Sequence, residues 1–197
     1  MDTAVIAALI AASVGVLTLI ANVVLQERAR RNERAAVITA FRSDIRSIVH
    51  VLHRMGIVDS FIDCLHSSLP TLGYTTWVDA PREENYFQLY ASMASKIGLT
   101  PFPLAKDIVR FYTFLHASRD SARPLGVLKA SSLKTGEHVQ HIRNVLVALC
   151  EVLRAADNVL GAEFSPRNQK EGQDIATEMW KKIDAALKNP NDTKLAT

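Results

Sequence analysis

The sequence predicts an all-α protein: an N-terminal transmembrane helix continuing into a cytoplasmic bundle of about five helices. Three observations carry this expectation. Residues 3–25, TAVIAALIAASVGVLTLIANVVL, hold no charge. Further along, apolar residues recur at spacings of three and four, the period of one helix face. No segment alternates apolar and polar residues as a half-buried strand does.

The N-terminal block has the length of a membrane span, since about 20 mostly apolar residues at ~1.5 Å each cross a bilayer. A cleaved signal peptide would need a basic leader, a short apolar core and a small-x-small cleavage site. Here the chain opens Met-Asp-Thr, the apolar core is too long, and the arginines come after it. Residues 1–25 are therefore expected to be a retained anchor. No Lys or Arg precedes the block, whereas Arg28, Arg30, Arg31 and Arg34 follow it. The positive-inside rule then places the N-terminus outside an inner (plasma) membrane and the remaining chain in the cytoplasm. Cys64 and Cys150 form no CxxC pair and no disulfide framework, which agrees with a reducing compartment.

The run LQERARRNERAA, residues 25–36, has three readings: a membrane-face marker, the start of a solvated helix, or a nucleic-acid arm. Glu27 and Glu33 interrupt it, no strong basic block follows, and the net charge is only +3. That argues against nucleic acid as a partner. Four arginines directly after an uncharged helix fit the membrane face, where each basic side chain near anionic headgroups gains roughly 1 kcal/mol. Within the anchor, Ala4, Ala8 and Ala12 recur every fourth position, Gly15 lies beside them, and Asn22 falls on roughly the same side. Small faces allow close helix approach and Asn can hydrogen-bond across it, so this face is a candidate for self-association.

Residues 26–55 read as the juxtamembrane basic segment and the first bundle helix. No Gly or Pro occurs from Val16 to Met55, so the anchor helix can run straight into the bundle. Ile38, Phe41, Ile45, Ile48, Leu52 and Met55 form its apolar stripe, and Gly56 stands where a C-cap glycine is expected. The bundle itself is expected over residues 56–188. A second helix over 57–69 turns Val58, Phe61, Ile62, Leu65 and Leu69 inward. A loop follows over 70–81, and a third helix over 82–97 presents Tyr86, Tyr90, Met93 and Ile97. Thr100-Pro101 reads as N-cap and N1 of a fourth helix ending near Ser121, with Leu104, Ile108, Phe111, Tyr112 and Leu115 inward. Arg123-Pro124 is expected to break the chain. A fifth helix over 137–160 turns Val139, Ile142, Leu146, Leu149 and Leu153 inward. A sixth, from Ser165-Pro166 to Lys188, turns in Ile175, Met179, Ile183 and Leu187. The polar residues 189–197 form a flexible tail.

The segment NYFQLYASMASKIGLTPFPLAKDIVRFYTFL, residues 85–115, resembles a stretch of uncharacterised single-pass inner-membrane helical proteins of proteobacteria. FRSDIRSIVHVL, residues 41–52, is similar to their post-anchor helix. The resemblance implies a bacterial inner-membrane setting, carries no activity to transfer, and assigns no functional residue.

Chemistry-bearing patterns are sparse. His50/His53 and His138/His141 are two HxxH pairs, each able to offer two nitrogens from one helix side. Their places opposite or beside the apolar stripes fit solvated or boundary histidines better than ligands. None of the nine glutamates has a His three positions later, the pairing that di-iron bundles use. Walker, GxGxxG, GxSxG and HExxH signatures are absent. No catalytic residue, cofactor or metal is therefore expected. Nine of the 13 aromatics lie between Tyr74 and Phe114. Those on helices look like core, whereas Tyr74, Trp77 and Phe102 fall in loops, where they either pin the loop to the bundle or offer a patch to a protein partner. The functional expectation is a membrane-anchored, non-enzymatic interaction or scaffolding module, in contact with anionic lipid and an unknown protein partner, with homo-oligomerisation as a further option. The alternative is an enzyme or ligand-binding bundle whose site leaves no sequence motif.

Overall fold

The computed structural model describes residues 3–67, 77–78, 87–127, 136–161 and 167–188, with the side chains of 3–12, 67, 127 and 167–169 outside the description. The described residues are all-α, with no strand among them. α1 spans Thr3–Arg54, α2 Ile57–Ser67 and α3 Gln88–Met93. A 3-10 turn, Ala94–Leu99, leads to α4, Phe102–Val127, then α5, Gly136–Gly161, and α6, Arg167–Lys188.

α1 is one uninterrupted helix of 52 residues, about 78 Å long at ~1.5 Å per residue. Its C-terminal half enters the core through Val37, Phe41, Ile45, Ile48, Val49 and Leu52, each at most 4% exposed. The expected stripe drifts at both ends: Ile38 is only half-buried, and Met55 is 40% exposed. A strict 3,4 spacing averages 3.5 residues per turn, so on a straight helix it rotates by ~20° per heptad away from a fixed face. Val37 and Val49 take the places that the drift vacates. Gly56 ends the helix at φ +58°, a left-handed conformation that glycine adopts without a Cβ penalty. Its N–H donates to the His53 carbonyl at 3.0 Å, and α2 folds back with Ile57, Val58, Phe61, Cys64 and Leu65 buried.

α5 is the centre of the bundle. Its buried positions run almost around its circumference, from His138 through Leu146 and Leu153 to Leu160. It packs most extensively on α4 and α6, and also touches α1 and α2. Ala148, Ala155 and Ala156 are buried on it, small side chains that let neighbouring helices come close. α4 contributes Ile108, Phe111, Tyr112 and Leu115 to this core; α6 contributes Ala176, Met179 and Ile183.

Three boundaries differ from the sequence expectation. Among the described residues of the segment expected as one third helix, Gln88–Met93 is α-helical and the chain then tightens into the 3-10 turn. Thr100 explains the stop: it precedes Pro101 and is held extended at φ −84°, ψ 151°, as a residue before proline must be. Its hydroxyl donates back to the Ile97 carbonyl at 2.7 Å instead of capping α4. The Pro101 carbonyl accepts from the Ala105 N–H at 2.9 Å, so α4 starts one residue later than expected. Pro124 does not break the chain; it lies inside α4, which continues to Val127. The bond it forfeits is to the carbonyl of exposed Asp120, while buried Ala122 and Leu125 hold the last turns on the core. The expected loop 70–81 and tail 189–197 lie outside the described residues apart from Trp77 and Val78.

Candidate functional site

The most distinctive surface is the first part of α1. Eight large apolar side chains from Val14 to Leu25 are 46–66% exposed. At 100° per residue they cover about two thirds of the helix circumference, and Gly15, Thr18 and Asn22 occupy the remaining sector. Thr18 satisfies its own hydroxyl by donating to the Val14 carbonyl at 2.8 Å. A Cβ placed on Gly15 would meet nothing within 4 Å, and Asn22, two turns on, is exposed on the same side. The side chains of Ala4, Ala8 and Ala12 lie outside the described residues. Among the described residues no helix is long and apolar enough to cross a membrane; the described side chains of the block are those of residues 13–25.

Arg28, Arg30, Arg31 and Arg34 follow as an exposed collar. Arg31 donates to Glu27 at 3.1 Å, and this bond holds the Glu27 carboxyl below its usual range. Glu33 accepts from Lys96 at 2.9 Å, which ties the 3-10 turn to α1 within the collar.

Deeper in the bundle, polar side chains join the helices. Arg42, 8% exposed, sends its Nε–H to the Val159 carbonyl at 3.1 Å. That carbonyl belongs to the last turn of α5, where carbonyls have no helical partner and the helix dipole favours a cation. Burial pulls the Arg42 guanidinium below its usual range. The Tyr112 hydroxyl donates to Asp44 at 2.5 Å. Tyr90 stacks on the Tyr112 ring with centroids 4.5 Å apart, and Phe41 meets it edge-on at 6.2 Å. Burial raises the Asp44 carboxyl, and the Tyr112 bond offsets part of that rise. Tyr112 itself is pushed far up by burial and by the adjacent carboxylate. On the far side Glu151 accepts from Arg110 of α4 and Arg154 of α5, and Arg154 also reaches Asp184 of α6 at 3.2 Å. Asp157 accepts from Gln173 at 2.9 Å and from the Trp180 indole at 3.2 Å. These contacts link α4, α5 and α6.

Between α1 and α6 an open polar cleft of about 450 Å³ is lined by Ser43, Arg46, Ser47, His50 and Glu171. The four α1 residues lie at helical spacing on one side. Gly172 keeps the two helices close here, since a Cβ on it would stand 2.9 Å from Arg46 Cγ.

The histidine pairs stay apart in role. His50 lines the cleft, His53 is exposed, His141 is half-buried, and His138 is 1% exposed. Burial, and then His141, lower the His138 imidazole. The border position expected for His138 is thus a core position. No group of three or more His, Cys, Asp or Glu among the described residues could hold a metal ion. Cys64 and Cys150 are separate, buried and free; burial pushes the Cys64 thiol up to about 11.

Trp77 and Phe102 do not share an exposed patch. Tyr74 lies outside the described residues. Trp77 is 4% exposed, with the Arg119 guanidinium 5.4 Å from its ring centroid, so it pins its segment to the core. Phe102, at the tip of α4, is 80% exposed. Sequence reasoning missed the Asp44–Tyr112 and Arg42–Val159 contacts. The available signal was Tyr112 itself, an inward tyrosine whose hydroxyl needs a partner.

No family model, no curated protein and no solved structure matches this chain.

Proposed function

We propose that the chain is a single-pass membrane protein whose cytoplasmic helical bundle acts as a non-enzymatic interaction or scaffolding module. The observation that carries the reading is the stalk of α1. Large apolar side chains exposed over about two thirds of a helix circumference, with no charge among them, call for a partner other than water, and the uncharged sequence continues N-terminally to residue 3. The arginine collar supports an orientation with the bundle on the cytoplasmic side of an inner membrane, in contact with anionic headgroups. Tethering would raise a partner's local concentration at the membrane, which is a function in itself. The Gly15 and Asn22 side of the stalk, with Ala4, Ala8 and Ala12 in the sequence, is the surface through which two copies would associate.

Alkaline carbonate extraction of membranes tests the anchor: full-length protein stays in the pellet, and a chain lacking residues 1–25 is released. Recovery of the full-length protein in the soluble fraction would sink the reading. Crosslinking and affinity capture from membranes tests the scaffold, with a reproducible protein partner expected. Unchanged self-association of Ala12→Ile and Gly15→Ile variants would remove the homo-oligomer. The cleft at Ser43, Arg46, Ser47, His50 and Glu171 favours one second reading, a small-ligand-binding bundle. A small molecule retained through purification would support it over scaffolding.

A further inference from the structure

We propose that the tip of α4, Pro101-Phe102-Pro103 with Lys96 and Lys106, is a second contact with an anionic bilayer surface. It would dock the bundle onto the membrane that α1 crosses. The proposal rests on the anchor reading above.

The height of this tip along α1 follows from two independent contacts. Lys96, just before α4, pairs with Glu33 at 2.9 Å. Tyr112, further along α4, lies against Asp44 and Phe41. α4 therefore runs in the same sense as α1, away from the apolar stalk. Phe102 lies about 15 Å back from Tyr112, and Arg34 about 15 Å back from Asp44, at ~1.5 Å per residue. Phe102 thus stands level with Arg34, about 13 Å beyond Leu25, the last apolar residue of the stalk.

In the proposed contact, tilt closes that gap. Residues 3–25 give an apolar length of about 34 Å against a hydrocarbon core of about 30 Å, and tilting is how such an excess is accommodated. The contact requires the tilt to be toward α4: about 25°, across roughly 10 Å between axes, would bring Phe102 to about 8 Å above the core. This is the headgroup level, about 5–8 Å deep on each face.

The chemistry at the tip suits that level. Phe102 is 80% exposed, and the flanking Pro101, Pro103, Lys96 and Lys106 are exposed as well. An aromatic ring on a proline-stiffened turn can enter the headgroup layer while Lys106 meets lipid phosphates, Lys96 being shared with Glu33. Arg28, Arg30, Arg31 and Arg34 extend the same positive surface toward the stalk. An acidic protein segment would meet the charges, but the level of the tip beside the collar favours the bilayer.

The test places a fluorophore on full-length protein in vesicles after Phe102→Cys, Leu17→Cys or Val147→Cys, and reads quenching by brominated lipid. Cys64 and Cys150 are buried, and wild-type protein taken through the same labelling gives the background. Val147 is 50% exposed and, on α5 one turn from the Glu151–Arg110 pair, lies well beyond the collar. The expected result is strong quenching at 17, clear quenching at 102 and none at 147, with the signal at 102 stronger in phosphatidylglycerol vesicles than in pure phosphatidylcholine. Quenching at 17 with 102 reading like 147 overturns the contact and leaves the anchor standing. No quenching at 17 overturns both. Equal quenching at 102 in both vesicles overturns the recognition of anionic headgroups.

Discussion

Removing the Tyr112 hydroxyl should weaken the bundle, and by an amount that depends on pH. Tyr112 is 1% exposed and donates to Asp44 at 2.5 Å. In Tyr112→Phe the ring still fills its place against Tyr90 and Phe41, so packing is conserved and the hydrogen bond alone is lost. A hydrogen bond to a charged group contributes about 1.5–3 kcal/mol, and a chain of this size shifts its melting midpoint by about 2–4 °C per kcal/mol. The expected loss near neutral pH is therefore about 3–12 °C. The sign with pH follows from Asp44. Its folded-state carboxyl lies above the ordinary value of 3.8, because burial outweighs the Tyr112 bond. The folded state thus holds the proton more tightly than the unfolded one. The Asp44 contribution to stability is greatest below 3.8 and falls as pH rises through the raised folded value. Without Tyr112 the carboxyl rises further and the fall continues to higher pH. The difference between wild type and Tyr112→Phe is thus largest once Asp44 is ionised, and it shrinks in acid.

Thermal unfolding of full-length protein in detergent, followed by far-UV circular dichroism from pH 4 to 8, reads this directly. Asp44→Asn and the double variant complete a thermodynamic cycle. A coupling below about 0.5 kcal/mol, the range of non-interacting sites, or a wild-type-to-variant difference independent of pH, would refute the reasoning.

Three further outcomes are expected. Arg42→Ala removes the donor to the Val159 carbonyl and the cation at the C-terminus of α5, and should cost about 1.5–3 kcal/mol in chemical denaturation; an unchanged midpoint would show that the contact contributes nothing. Gly172→Leu brings a side chain against Arg46 Cγ and should cost about 1–3 kcal/mol, with part of the loss recovered by Arg46→Ala; no recovery would place the clash elsewhere. Cys64, its thiol pushed up to about 11, and Cys150, also raised by burial, should react with a thiol reagent at pH 8 far more slowly in the folded chain than in denaturant. Equal rates in the two states would contradict the burial of both.

The faces of the helices were legible because burial imposes a period. Phe41, Ile45 and Leu52 on α1, and Ile142, Leu146, Leu149 and Leu153 on α5, read correctly as inward and are at most 1% exposed. Gly56 read correctly as a terminator because only a left-handed residue closes that turn. Pro124 misled because a proline's cost depends on whether the helix around it is held by packing, and buried Ala122 and Leu125 hold it. His138 misled because a border position on a helical wheel becomes core when neighbours pack on both sides. The pairings themselves were out of reach. Periodicity says which face of a helix is apolar, but not which helix meets it. Arg42 and Val159 are 117 positions apart, and Asp44 and Tyr112 are 68 apart. The cleft beside Gly172 depends on the same unknown, since it exists only once α6 is laid on α1.

The continuity of α1 bears on all of the functional readings. A flexible linker between anchor and bundle would leave the bundle free to sample any height and orientation above a membrane, and an aromatic tip at one end would rarely meet the lipid. Instead, one helix, without Gly or Pro from Val16 to its end at Arg54, passes from the exposed apolar stalk, through the arginine collar, into the buried core. With the anchor in a bilayer, every side chain of the bundle then has a height set by ~1.5 Å per residue of α1 and a bearing set by 100° per residue. Phe102 and Val147 stand at different heights for that reason alone. The residues joining α1 to the bundle, Phe41 and Ile45 by packing, Asp44 through Tyr112 and Arg42 through Val159, are what transmit that placement to α4 and α5. Substitutions there should loosen the bundle's placement as well as its stability, whereas the exposed stalk can change in sequence with little effect on the bundle's fold.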